Sequence, residues 1–372
     1  MRIAHEIRSA TRDATASTTE SRAILVAGAA LAIGMLVGLV LAGGRTLPIT
    51  GAASLGTFAA LTAGALTAAA FVAGYLLPAP GSRRRTHPES SPWRLALNVT
   101  ALALAHAAIA LLLLEGVSIV LADAFIGADV YPFSSALLIG IASALACYAA
   151  FLSASGMTTT RIATVLATYL VVGVMAAMLS TSDPQWWEKN ISALGIGDDV
   201  SSIIFNVTLI VAGALITAIS VYLTAELGQG HLARSPHDAD GRAEPARVRL
   251  LGAALVVLGV FLALVGVFPV GWVEWVHNTF ATGLVVIFAA LVVGIRWIVP
   301  GLPWVFVAVG YAFLMIVLGA AVFFLVGIYN LTAMEIVGFA LIFAWLILLI
   351  RNISASGSDD AGRIASSVPM QG

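Results

Sequence analysis

Ten stretches of this chain, each near twenty residues long and almost free of charge, leave it few ways to fold. Hydrocarbon offers no partner for backbone N–H and C=O groups, so a run of about 20 predominantly apolar residues is expected to form a helix that crosses a bilayer. The expected spans are 22–42, 53–77, 95–122, 134–155, 162–181, 202–225, 250–269, 277–297, 304–327 and 334–350. The first run follows a polar arm with Arg2, Arg8, Arg12 and Arg22, which has the look of a signal peptide. Its apolar length exceeds the roughly 7 to 15 residues of a signal core, so a retained helix is expected. Only 10% of the 372 residues are charged, against about a quarter in soluble domains, which excludes that class.

Basic residues concentrate in cytoplasmic loops. With the N-terminus inside, 16 of the 18 basic residues fall on inner segments, and only Arg45 and Lys189 lie outside. The expected fold is therefore an all-α polytopic membrane protein, a bundle of about ten transmembrane helices with N-terminus and C-terminus both cytoplasmic. Indole rings favour the headgroup level. Trp186, Trp187, Trp272 and Trp275 are expected at outer helix ends as interfacial anchors, and Trp93, Trp297, Trp304 and Trp345 at or near inner ones. The alanine-rich, lysine-poor composition suggests a bacterial chain of the cytoplasmic membrane.

Four segments follow: an arm over 1–21, a four-helix membrane unit over 22–155, a six-helix membrane domain over 162–351, and a polar tail over 352–372 expected to be disordered. The inner loops 78–92 and 228–247 are rich in Gly, Pro, Ser and Arg and read as connectors. Each follows the second helix of a four-helix group, so spans 1–4 and 5–8 are candidates for parallel repeats, with AGAL recurring at 63–66 and 212–215.

Nine acidic residues face two basic ones at the expected outer side. Most are solvated loop acids. Glu115 and Glu335 stand out because they lie in or just inside apolar runs, where an ionisable group is a functional candidate. In WVEWVHN, Glu274 and His277 are three residues apart and share a face if the segment is helical. A carboxylate beside an imidazole makes a proton-accepting pair; the alternative is a histidine held at the interface among anchoring tryptophans. His106 is the deepest ionisable group, and Asn98, eight residues earlier, projects about 80° away on the same helix, so the two can line one polar seam. A neutral histidine bonded to a neighbouring helix is the competing reading.

Several chemistries are excluded. The only lysine lies in an outer loop, so a retinal Schiff base has no residue to form on. Cys147 is alone, which leaves no disulfide framework, and no metal site or cofactor is expected. Neither GxxxxGK[ST] nor HExxH occurs. No nucleic-acid partner is expected. The N-x-S/T triplets at Asn98, Asn190, Asn206, Asn330 and Asn352 carry no meaning as glycosylation sites in a bacterial chain.

The segment ISALGIGDDVSSIIFNVTLIVAGALI, 191–216, with its ISALG loop, the pair Phe205 and Asn206, and His277 in VHNTFATG, resembles the bacterial membrane family catalogued as domain of unknown function 998. The resemblance covers about 162–351. It implies a six-helix bundle and picks out Ser192, Gly195, Asn206 and His277. Read on their own chemistry, Ser192 either caps a short helix or contacts a ligand, and Asn206 bonds a neighbouring helix or its backbone. Lys189 is expected to pair with a loop acid.

The expected function is a transporter or lipid-handling protein with an outward polar pocket formed by Asp183, Ser192, Asn206, Glu274, His277 and Glu335, taking a lipid or small molecule. One alternative is an intramembrane enzyme acting on a lipid or cell-envelope precursor with His277 or Glu274 as base. The other is a non-catalytic membrane subunit.

Overall fold

The computed structural model describes residues 2–77, 92–233 and 245–367. Its helices are α1 (Arg2–Ala42), α2 (Leu55–Leu76), α3 (Pro92–Ala124), α4 (Pro132–Ser155), α5 (Thr159–Ser180), α6 (Trp186–Lys189), α7 (Val200–Ala233), α8 (Pro245–Val267), α9 (Glu274–Ile298), α10 (Trp304–Leu325) and α11 (Leu331–Ser367). Ten of them are long and apolar enough to cross a membrane, as a multi-pass membrane protein requires. A short 3-10 helix, Ile191–Gly195, follows α6. The chain divides into two compact units, 1–157 and 158–372.

Helix starts carry the local chemistry that orphaned N–H groups demand. The Ser54 hydroxyl accepts from the Thr57 N–H at the head of α2, and Thr158 accepts from the Arg161 N–H at the head of α5. Proline opens α4 at Pro132. The connectors 78–91 and 234–244 lie outside the described residues.

In the first unit α1 packs along α4, and α2 packs against both α3 and α4. Small residues bring the backbones together: a side chain at Gly38 would strike the backbone of Ala136, and one at Gly140 the carbonyl of Leu31. An antiparallel pair of two-residue strands, β1 (Leu47–Pro48) and β2 (Asp129–Val130), ties the loop after α1 to the loop before α4.

In the second unit α7 and α8 run against each other over most of their length, with α5 and α11 on α7 and α9 on α8; α10 packs on α11. Gly252, Gly259 and Gly266 recur every seven residues on α8, so they share one face. They meet Thr224, Gly213 with Thr217, and the Asn206 backbone in turn. The neighbour order of the first unit is not repeated here. The first span packs mainly along the fourth, whereas α5 packs mainly on α7 and then on α11, so spans 5–8 are not a packing copy of spans 1–4.

Two expectations need correction. Trp345 offers no ring to the headgroups: it is 2% exposed, stacked on Phe306 and edge-on to Phe288. The tail from Asn352 is not disordered throughout, because α11 continues to Ser367. Extending an existing helix needs no new nucleus, and no proline intervenes before Pro369.

Candidate functional site

The stretch between α5 and α7 folds into two small pieces, α6 and the 3-10 turn Ile191–Gly195. Lys189 donates to Asp183 at 2.8 Å across the base of this loop, the ion pair expected from its place among acids. The Lys189 ammonium and then the Gln185 N–H hold the Asp183 carboxyl below its ordinary range. Asp199 closes the far end. Its Oδ1 caps α7 by accepting from the Ser202 N–H, and its Oδ2 accepts from the N–H and hydroxyl of Ser182. Burial alone would raise the Asp199 carboxyl, but those donors outweigh it and hold the group low. Asp199 is thus engaged with its own chain.

The turn itself is the meeting point of four sequence-selected residues. His277, 3% exposed at the head of α9, places Nε2 3.0 Å from the Ser192 hydroxyl and Nδ1 2.9 Å from the Phe268 carbonyl oxygen. A carbonyl can only accept, so Nδ1 carries a proton, and when the ring is neutral Nε2 accepts from Ser192. Ser192 is 8% exposed. One residue earlier, the Ile191 N–H donates to Glu335 Oε2 of α11 at 2.6 Å. From α7, the Asn206 amide donates to the Gly195 carbonyl at 3.0 Å. Gly195 is the residue that permits this: a Cβ there would lie 2.5 Å from Asn206 Oδ1 and 3.1 Å from the Phe205 ring. Gly197 then turns the chain toward α7 with φ of 102°, a conformation that favours glycine.

Other partners were not foreseen. Ser201 donates to the carbonyls of Ala177 and Leu194. Asn330 caps α11 through the Ala333 N–H and reaches the Trp187 carbonyl with its amide.

Three expectations fail here. Ser192 does not cap a helix; it is the second residue of the turn and faces His277. Glu274 does not pair with His277, whose ring nitrogens are both taken by other groups, and Glu274 itself is exposed. Asp183 lies at the loop surface with Lys189, not against the turn. Trp187, Trp272 and Trp275 are exposed around this end of the unit, with Trp186 half-buried.

Glu115 and His106 belong to the first unit and are held there. His106 Nδ1 lies 2.8 Å from the Leu102 carbonyl and Nε2 3.0 Å from the Ser153 hydroxyl, with the Phe71 ring 4.5 Å away. That is the reading of a histidine bonded to a neighbouring helix. Glu115 is half-buried and accepts from Thr57 at 3.4 Å. Among the described residues no three His, Cys, Asp or Glu side chains gather as a metal would require.

Comparison with family models, with curated proteins and with solved structures yields no match. The functional reading therefore rests on the geometry of the turn.

Proposed function

We propose that the protein is a transporter or lipid-handling protein of the cell membrane, in which the 191–195 turn is the closure at the outer face of the second unit. The observation that carries this is the pair of titratable side chains, His277 on α9 and Glu335 on α11, that each hold one of two adjacent residues of a buried turn. A closure must be held firmly enough to exclude solvent and weakly enough to open. Individual hydrogen bonds contribute a net of about 0.5–1.5 kcal/mol each, which suits that task. Protonating Glu335 weakens its acceptance of the Ile191 N–H, and protonating His277 reverses the direction of its bond to Ser192. The turn is thereby linked to proton occupancy from two helices.

The arginine asymmetry supports an outer position for this end, and exposed Trp187, Trp272 and Trp275 suit the headgroup level there. The ISALG turn, Asn206 and His277, on which the resemblance to domain of unknown function 998 over about 162–351 rests, meet at one point, which supports reading them as parts of one site.

The test uses proteoliposomes loaded with a pH-sensitive dye and challenged with a panel of small solutes and lipids. A solute-driven proton signal that disappears in both His277→Ala and Glu335→Gln supports the reading. A signal that survives in both overturns it.

A second reading is favoured by the tautomer of His277. With Nδ1–H fixed on the Phe268 carbonyl, Nε2 is the acceptor of the Ser192 proton, the arrangement that activates a serine as a nucleophile. An intramembrane enzyme cleaving an ester at the outer leaflet would use this pair. Labelling of Ser192 by a fluorophosphonate, lost in His277→Ala, would favour it over transport; an unlabelled Ser192 ends it.

A further inference from the structure

We propose that Asn190, Thr332 and Glu335 form a binding site for one sodium ion beneath the 191–195 turn. This deepens the transport reading by naming the ion that occupies the same closure.

The first turn of α11 lies along the segment 187–191. Asn330 donates to the Trp187 carbonyl at 2.8 Å, and five residues on, Glu335 accepts from the Ile191 N–H at 2.6 Å. Thr332 and Glu335 are three residues apart, so their side chains leave α11 on one face, about 60° apart and about 4.5 Å along the axis. Thr332 is 3% exposed, yet its hydroxyl oxygen has no hydrogen-bond partner. Asn190 sits directly before the residue that Glu335 holds, and its Oδ1 is likewise buried and unpartnered. Two buried oxygens without a partner thus lie on the two segments that the Glu335–Ile191 bond joins, and Glu335 Oε1 takes no part in that bond.

A buried oxygen without a partner is costly, and two of them on segments joined through one carboxylate point to a shared partner. The donor set selects its nature. Carboxylate, amide carbonyl and hydroxyl oxygens are hard ligands, with no imidazole or thiolate among them, which excludes the softer transition metals. One carboxylate balances one positive charge. A divalent ion would keep a net charge in a site with little water, and calcium sites bring several carboxylates to it. A monovalent hard cation fits both conditions. Irregular backbone next to a helix end, as in 190–195, is also where membrane proteins supply carbonyl oxygens to complete a sodium shell.

The experiment measures binding without transport. Purified full-length protein in nanodiscs is titrated with radioactive sodium in choline chloride, and its melting temperature is followed in sodium, potassium and choline salts. One saturable sodium per chain is expected, with a rise in melting temperature that choline does not produce. Thr332→Val and Glu335→Gln are each expected to weaken sodium binding at least about tenfold, the loss of one direct ligand. Glu274→Gln, at an exposed acid outside the site, is expected to bind as the parent does. Thr332→Val replaces an unpartnered buried hydroxyl by a methyl of the same shape, so in choline it is expected to melt no lower than the parent.

Absence of saturable binding up to about 100 mM sodium, where even a weak site would register, overturns the proposal. So does Thr332→Val binding sodium unchanged, or shifting the melting temperature equally in sodium and choline, the signature of a bridging water alone. Sodium binding with no solute-driven flux would instead sink the transport reading and leave the site standing.

Discussion

The Ser192 and His277 pair lends itself to a double-mutant cycle. His277→Ala removes both imidazole bonds and leaves the Ser192 hydroxyl and the Phe268 carbonyl facing a small void. Each buried group deprived of its partner costs about 1–3 kcal/mol, so a total loss of about 3 kcal/mol or more is expected. Ser192→Ala strands only Nε2 and is expected to cost about 1–3 kcal/mol. Once one partner is gone the other has less to lose, so the double variant should fall short of the summed single losses by about 1 kcal/mol. Reversible unfolding in bicelles measures all four corners. Additivity to within about 0.5 kcal/mol would refute the direct bond. Nitrogen NMR of the histidines checks the same reasoning from another side: a bare Nδ1 on His277 is incompatible with its bond to the Phe268 carbonyl.

Further expectations address other parts of the turn. Gly195→Ala places a methyl against Asn206 Oδ1 and Phe205 and is expected to lose about 1–3 kcal/mol in unfolding, part of it recovered when Asn206→Ser makes room. Lys189 is the only lysine, so cleavage by a lysine-specific protease reports its loop alone; Asp183→Asn is expected to accelerate it. Because Asp183 is depressed in the folded protein, its tie to Lys189 is fully present above the ordinary carboxyl value of 3.8 and is lost as pH falls through the lower folded value. The fluorescence of Trp186 and Trp187 is expected to change only in that acidic window, and in Asp183→Asn not at all. Gly259→Leu is expected to cost at least about 1–3 kcal/mol, because its side chain would enter the backbone of Gly213 and the Thr217 hydroxyl.

The ten long helices were legible because the criterion used to find them is a physical one: a backbone in hydrocarbon must bond to itself over about 20 residues. Charge scarcity made the Asp183–Lys189 pair legible as well. The site was legible only in parts. Ser192, Asn206 and His277 were singled out by the resemblance and Glu335 by its place at the edge of an apolar run, but their convergence depends on how α7, α9 and α11 pack, which no spacing encodes. The Glu274–His277 pair failed because the three-residue rule applies within a helix, whereas Glu274 opens α9 and the imidazole turns back to a carbonyl in the preceding loop. The Phe268 carbonyl carries no sequence signal. Asn190, Asn330 and Thr332 drew notice only as parts of N-x-S/T triplets, since a threonine early in a helix is ordinary until its hydroxyl is found buried without a partner.

The glycines spaced by seven on α8 bear on motion. Where Gly259 meets Gly213 the two backbones touch, with only the short side chains of Thr217 and Ala263 beside them, and Gly266 seats directly on the Asn206 backbone. α7 and α8 are therefore a stiff double plank, and Asn206, which supports Gly195, is fixed to it. If the turn is the proposed closure, its opening is expected to leave that plank in place and swing the other two holders, α9 with His277 and α11 with Glu335, away from it.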